Sequence, residues 1–326
     1  MITEWKPPEK FVEYKQLNNA RTYTILQIKM PSPFINTIKK YKVEATLILI
    51  LFFAVLIRCY EITLPYCKSW EIAFQEIIAK NHLTYGFGQT HFVSVISILD
   101  GQNIYHLSHP PLLQILIAIS YFFFGIHEWS ARIVPILSSL GTIILIYAIA
   151  YRVWDERTAL SAALFASFMP MSAYFGRVVN FEPLVLFVVL LFAWAFLMWN
   201  ETNNKKYYIL TIFAVILGGL TDWPFFLILP FFIIISLITR EKIRETFFLF
   251  ILGCGIALGY LAIKNSLIGY QAGVSNWFAH IIYRSNIPMF IGNPNLYSLI
   301  ISRMWNNFSI TIILAVIGVI IFFVFF

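Results

Sequence analysis

Residues 133–151 and 183–199 are charge-free, mainly apolar runs of nearly 20 residues, and several shorter runs accompany them. At 1.5 Å per residue such a run matches the ~30 Å hydrocarbon core of a bilayer. A backbone immersed in lipid must satisfy its own hydrogen bonds, so a continuous run crosses as a helix, whereas a membrane barrel would show alternating segments of about ten residues. Composition agrees, with 60% apolar and 12% charged residues and a mean hydropathy of +0.77. A soluble domain, a disordered chain and a secreted disulfide scaffold are thereby excluded. The expected fold is an all-α polytopic membrane protein.

The net charge of +7 does not point to nucleic acid, because the basic residues are scattered through short loops rather than gathered in one stripe. The 3 cysteines include no CxxC pair and read as small apolar residues. The first 40 residues lack the short apolar core of a signal peptide, which leaves the first membrane helix as the insertion signal. Residues 1–42 form a polar, proline-broken arm ending in Lys39, Lys40 and Lys42, the cytoplasmic flank of a first span at 43–60. Further spans are expected at 133–151, 158–175, 183–199, 207–220, 224–238, 246–263 and 308–326. No internal repeat of fixed period is present, which argues against inverted-repeat transporters.

Residues 110–124 are apolar but too short to cross alone. If they do not cross, loops 1–44, 152–157, 200–206 and 239–246 share the cytoplasmic side and hold 15 of the 23 lysines and arginines. If they do cross, the asymmetry collapses. The segment therefore reads as a juxtamembrane or re-entrant helix, the N-terminus as cytoplasmic, and 61–109 and 264–307 as long outer loops. All 6 histidines then lie outside, together with Glu61, Glu71, Glu76, Asp100, Glu128, Glu182 and Asp222. Long loops on a rigid helical scaffold are where binding and chemistry concentrate.

Three outer corners carry polar groups at helix starts. His109-Pro110-Pro111-Leu112 enters the short apolar helix, its prolines placed where a missing donor costs nothing. Arg177 to Pro183 joins two spans and sets Arg177 and Glu182 at the boundary. Asp222-Trp223-Pro224 forms the third corner. Each has an ordinary structural reading as well, as helix cap, dipole complement or interfacial aromatic. In the first loop, 69–81 reads as an amphipathic surface helix with Glu71 and Phe74 on one face.

The Trp70-led helix ending Ala79-Lys80-Asn81, then His109-Pro110-Pro111-Leu112, Gly125, Trp129-Ser130-Ala131-Arg132, Arg177 to Pro183 and Asp222-Trp223-Pro224 resemble, in this order, the C-class glycosyltransferases that use polyprenyl-phosphate sugars. Family 39 protein mannosyltransferase-like enzymes and lipid A aminoarabinose transferases are the nearest pattern, over roughly 57–238. The resemblance implies an inverting integral membrane transferase. It would move a sugar from a polyprenyl-phosphate carrier to a protein, glycolipid or polysaccharide acceptor on the extracytoplasmic side of the plasma membrane.

It also implies site roles. Glu71 and Glu182 supply acids, one to take the acceptor hydroxyl proton. His109 positions a substrate, and Arg177, with Lys264 and Arg284 of the second outer loop, faces the departing phosphate. Asp222 and Arg132 complete the substrate-binding set. The family's first-loop aspartate aligns with Phe74, which cannot abstract a proton, so Glu71 one turn earlier is the substitute. Family members usually continue beyond the point where this chain stops, at Phe326, which suggests a fragment or a short variant. The alternative is a catalytically inactive relative that binds lipid carriers or partner proteins. No metal ligands are assigned, since no His-x-x-x-His or comparable pair occurs, and dependence on a divalent metal stays open because related enzymes differ.

Overall fold

The computed structural model describes residues 33–64 and 70–268. The arm to residue 32, Arg284, the rest of the second outer loop and the span at 308–326 lie outside the described residues, as does the side chain of Glu71. The chain divides into two compact units after Ile48, and the site residues fall in the second.

The helices are α1 (Pro33–Cys59), α2 (Trp70–Thr90), α3 (Leu112–Phe124), α4 (Glu128–Val153), α5 (Glu156–Phe168), α6 (Pro170–Phe175), α7 (Phe181–Thr202), α8 (Lys205–Thr221), α9 (Leu229–Thr239) and α10 (Ile243–Ile268), with a 3-10 turn at Trp223–Leu227. Among them α4, α7 and α10 are long and apolar enough to cross a membrane. The chain is a helical integral membrane protein, as its apolar runs require.

Four local departures from the sequence reading have identifiable causes. The expected span at 158–175 is two helices, broken at Met169 because Pro170 has no amide hydrogen to continue the ladder. The expected span at 224–238 likewise opens as the 3-10 turn before α9. α10 runs through Lys264 to Ile268, so Lys264 is a helical residue rather than part of a loop. Finally, the first outer loop contains a hairpin, β1 (Val95–Leu99) antiparallel to β2 (Gln102–Tyr105). Asp100 and Gly101 form its two-residue turn, both at positive φ (51° and 76°), as the twist of a tight hairpin demands. Asn81 of α2 donates to the carbonyls of Val95 (2.8 Å) and Ile96 (2.7 Å), where the register shifts, and so fixes the hairpin on the helix.

α3 begins and ends at the same end of the bundle. Before its first turn, His109 bonds Asp222 beyond α8, and the ring of Phe181, the first residue of α7, stacks on His109. After its last turn the chain enters α4, whose Arg132 donates to the carbonyls of Glu61 and Leu64 just past α1. Arg177 closes the circuit by donating to the Tyr60 carbonyl at 2.6 Å. The opposite end gathers the loops after α4, α7 and α9. There Arg152 pairs with Glu201, Asn200 donates to Glu241 at 3.0 Å, and Lys242 bonds Asn203 and lies over the Trp199 ring. Helices of 22 and 26 residues separate the two ends by roughly 33 to 39 Å.

The core runs along α7, where Val188, Phe192 and Phe196 recur at the four-residue spacing of one helix face. Phe192 is fully buried between the rings of Phe225 and Phe232, at 6.0 and 4.8 Å edge to face. α2 and α3 are joined by a buried bond from Gln114 Nε2 to Gln75 Oε1 (2.6 Å), and α3 is joined to α4 by Ser120 Oγ donating to the Ser130 carbonyl (2.6 Å).

Candidate active site

Three chain segments meet at the end of the bundle that carries α3. The first is Ser108-His109, leading into α3. The second is the corner before α7, where the Asn180 side chain caps the helix by accepting from the Phe181 amide at 3.0 Å and places Glu182 in the first turn. The third is Asp222, which follows α8 and caps the 3-10 turn by accepting from the Trp223 amide at 2.8 Å.

The Oδ1 atom that caps this turn also accepts from His109 Nδ1 at 2.7 Å. Asp222 is buried, and its carboxylate fixes the imidazole that stacks on Phe181 at 4.5 Å between centroids. The backbone beneath is held twice more. Trp223 Nε1 donates to the Ser108 carbonyl and Tyr260 Oη to the His109 carbonyl, both at 2.7 Å. Lys264, buried, follows Tyr260 by one turn on the same face of α10.

Glu182 and Asp222 line the mouth of a cleft of about 540 Å³ between α7 and α9. Its walls are apolar and include Val185, Leu186, Val189, Leu227 and Phe231. A second cleft, of about 450 Å³, opens on the other face of the same corner. It lies between the end of α1 (Leu56, Ile57, with Tyr60 beyond) and α6 (Ala173, Tyr174), and Arg177 stands in its lining. The corner 176–182 thus sets a guanidinium in one apolar cleft and a carboxylate in the other.

The structure brings His109, Glu182 and Asp222 into one site and sets Lys264 beside it. Arg177 and Arg132 lie at the same end and hold the backbone of 60–64 through their bonds to carbonyls. Glu71 stands in the first turn of α2. Phe74 packs against the His106 ring at 5.7 Å. Among the described residues no three His, Cys, Asp or Glu side chains gather as metal ligands.

Several groups were not legible from sequence. Tyr260 sits inside an apolar run, where nothing in the sequence sets it apart from packing residues. Glu76, named only as a polar residue of the loop helix, has one carboxyl oxygen shut off from solvent without a hydrogen-bond partner. Burial above all, with nearby Glu128 adding and Arg132 opposing, raises this carboxyl to about 7. His82 packs in the same helix: its Nδ1 bonds Thr90 Oγ1 at 2.8 Å, its ring stacks on Phe87, its Nε2 is buried without a partner, and burial lowers it to about 4.

Residues 108–263 match the family model of dolichyl-phosphate-mannose-protein mannosyltransferases. That interval opens at the Ser108-His109 segment and closes just past Tyr260. YycA of Bacillus subtilis (strain 168), named as a candidate mannosyltransferase, is 25% identical over 238 residues, covering 70% of this chain and 33% of its own. An uncharacterized protein of Aquifex aeolicus (strain VF5) is 42% identical over 66 residues, 20% of this chain and 16% of its own. The chain therefore spans about a third of YycA. Crystal structures of ArnT from Cupriavidus metallidurans, in the apo state and bound to undecaprenyl phosphate, superpose with TM-scores of 0.53 and 0.51 at 17% identity. Each covers 67% of this chain and 41% of the ArnT chain. Residues 108–263 are thus similar to the dolichyl-phosphate-mannose-protein mannosyltransferase family, and the chain shares the fold of the ArnT structures.

Proposed function

We propose that this chain transfers a sugar from a polyprenyl-phosphate carrier to an acceptor hydroxyl at the extracytoplasmic face, with inversion. The observation that carries the reading is the meeting of the His109–Asp222 pair with Glu182 at the mouth of an apolar cleft. Two apolar clefts open at this end of the bundle, and a water-soluble nucleotide sugar has no use for such walls, whereas an isoprenoid chain does. The ArnT fold neighbour bound to undecaprenyl phosphate supports the same class of carrier.

The chemistry is a single displacement at the anomeric carbon. The acceptor oxygen forms a bond to that carbon as the bond to the carrier phosphate breaks, and the attack from the opposite side inverts the centre. The acceptor proton passes to a carboxylate, Glu182 or the first-loop Glu71, and the phosphate leaves with the lipid. Arg177, with Arg132, Lys264 and Arg284, balances the charge that develops on the phosphate. Asp222 holds His109, and His109 positions the substrate. The basic loops gathered at the far end of the bundle support a cytoplasmic placement of that end, with the site facing outward.

The test is sugar transfer in proteoliposomes from a polyprenyl-phosphate-linked donor to extracted cell-envelope acceptors. Glu182→Gln should reduce transfer by about 100-fold with the fold retained. Full activity in that variant refutes the role of Glu182. A second reading, an inactive carrier-binding relative, is favoured by Phe74, which packs on His106 where the family carries an acid. Carrier binding by the wild type without turnover would select it.

A further inference from the structure

Among the described residues Arg58 is the largest side chain that is completely buried, and it plays no part in the chemistry above. It lies in the last turn of α1, and its guanidinium makes five hydrogen bonds. Nε donates to Ser139 Oγ (2.7 Å) in α4. Nη1 donates to the carbonyls of Ala54 (3.2 Å) and Ser167 (3.2 Å), and Nη2 to both the carbonyl (3.4 Å) and the hydroxyl (3.1 Å) of Ser172.

These acceptors have a common logic. Ser167 lies in the last turn of α5, and Ser172 lies in the six-residue α6. Between them Pro170 interrupts the ladder that would continue past Ser167, and the Ser172 carbonyl accepts from the Gly176 amide (2.9 Å) as well as from Arg58. A cation at helix C-termini both supplies donors and complements the dipole. Every one of the five acceptors is a neutral oxygen, so the charge of Arg58 is solvated rather than cancelled by them.

The packing around this group leaves no slack. A Cβ built on Gly176 would stand 2.4 Å from Ser139 Oγ and 2.7 Å from Arg58 Nε, so only glycine lets the chain pass here on its way to Arg177. Both walls of the Arg177 cleft are therefore joined through one guanidinium. Leu56 and Ile57 precede Arg58 in α1, while Ala173 and Tyr174 follow its acceptor Ser172.

We infer that Arg58 is a positioning residue for an anionic lipid head: by capping α5 and α6 it sets Arg177 at the mouth of the α1–α6 cleft, the place of the carrier phosphate. This rests on the functional reading above and names the cleft that takes the carrier. The ligand chemistry is an apolar chain ending in a phosphate, which an ordinary anionic phospholipid also offers.

The experiment uses the full chain in nanodiscs of phosphatidylcholine and titrates undecaprenyl phosphate, its neutral alcohol undecaprenol, and phosphatidylglycerol. Arg58→Lys keeps the charge but loses the planar fork, and should weaken undecaprenyl phosphate binding about tenfold with undecaprenol unchanged. Ser172→Ala removes one hydroxyl acceptor, leaves the guanidinium in place, and should give about a threefold loss with an unchanged melting temperature. Wild-type affinity in both variants overturns the inference, as does equal affinity of the wild type for phosphatidylglycerol. Sugar transfer that persists while carrier binding ignores Arg58 refutes this inference alone. A wild type that neither binds carrier nor transfers sugar refutes the functional reading.

Discussion

Glu76 offers a test of the first-loop helix that does not depend on knowing the substrate. Its Oε1 is enclosed without a partner, in the field of Glu128 and Arg132, and burial is the main reason its carboxyl is raised from 4.5 to about 7. A proton held that much more tightly in the folded chain corresponds to roughly 3 kcal/mol once it is lost. The side chain is only half-buried, so solvent screening leaves about 1–2 kcal/mol of this. The sign follows from proton counting. Between pH 4.5 and 7 the folded chain holds a proton that the unfolded chain has released, so stability falls as pH rises through this window and levels off above 7. Below 4.5 both states are protonated and the carboxyl costs nothing. Glu76→Gln keeps the size and removes the titration. It should match the wild type at pH 4 and melt roughly 2–6 °C higher at pH 8, read by thermal unfolding in detergent. A variant that melts lower than the wild type at pH 8 refutes the reasoning, because it would mean an ionised carboxylate stabilised by Arg132.

Two further outcomes concern the site and its support. Asp222→Asn retains an oxygen to accept from both His109 and the Trp223 amide but loses the charge, and should lower kcat/KM for sugar transfer about tenfold, whereas Asp222→Ala, which leaves His109 Nδ1 without its partner, should lower it about 100-fold. Equal losses would show that the charge alone matters. Gly218→Ala would place a Cβ 2.3 Å from the buried Phe225 ring and force α8 away from the turn that begins at Trp223. A destabilisation of about 1–3 kcal/mol, seen as a lower melting temperature together with reduced transfer, is expected, and an unchanged melting temperature would refute the close packing.

The helical scaffold was readable because lipid allows few alternatives, and the fold of α3 was readable from charge. The basic residues of loops 152–157, 200–206 and 239–246 share one side only if 110–124 turns back, and α3 does begin and end at one end of the bundle. The hairpin carried one sequence signal, Asp100-Gly101 after the apolar run Val95–Leu99, but without a clear two-residue alternation beside the amphipathic helix it did not stand out. Arg58 and Tyr260 were not legible. Both sit in runs whose hydropathy identifies the helix and is silent about which face turns inward, and their partners lie 81 to 151 residues away in sequence.

The sequence left the corner acids with two competing readings, as helix caps or as site groups, and the geometry of Asp222 shows why the two do not compete. One oxygen accepts both from the Trp223 amide, which starts the 3-10 turn, and from His109 Nδ1, while Asp222 itself lines the cleft. Glu182 stands in the first turn of α7, where Asn180 already caps the Phe181 amide. A carboxylate at a helix start is stabilised by the aligned peptide dipoles, so a buried or crowded acid costs less there than elsewhere in a low-dielectric site. Helix starts are therefore where a membrane bundle with apolar interiors can afford carboxylates. The convergence of α3, α7 and the 3-10 turn at one end of this bundle gathers Glu182, Asp222 and His109 beside the α7–α9 cleft.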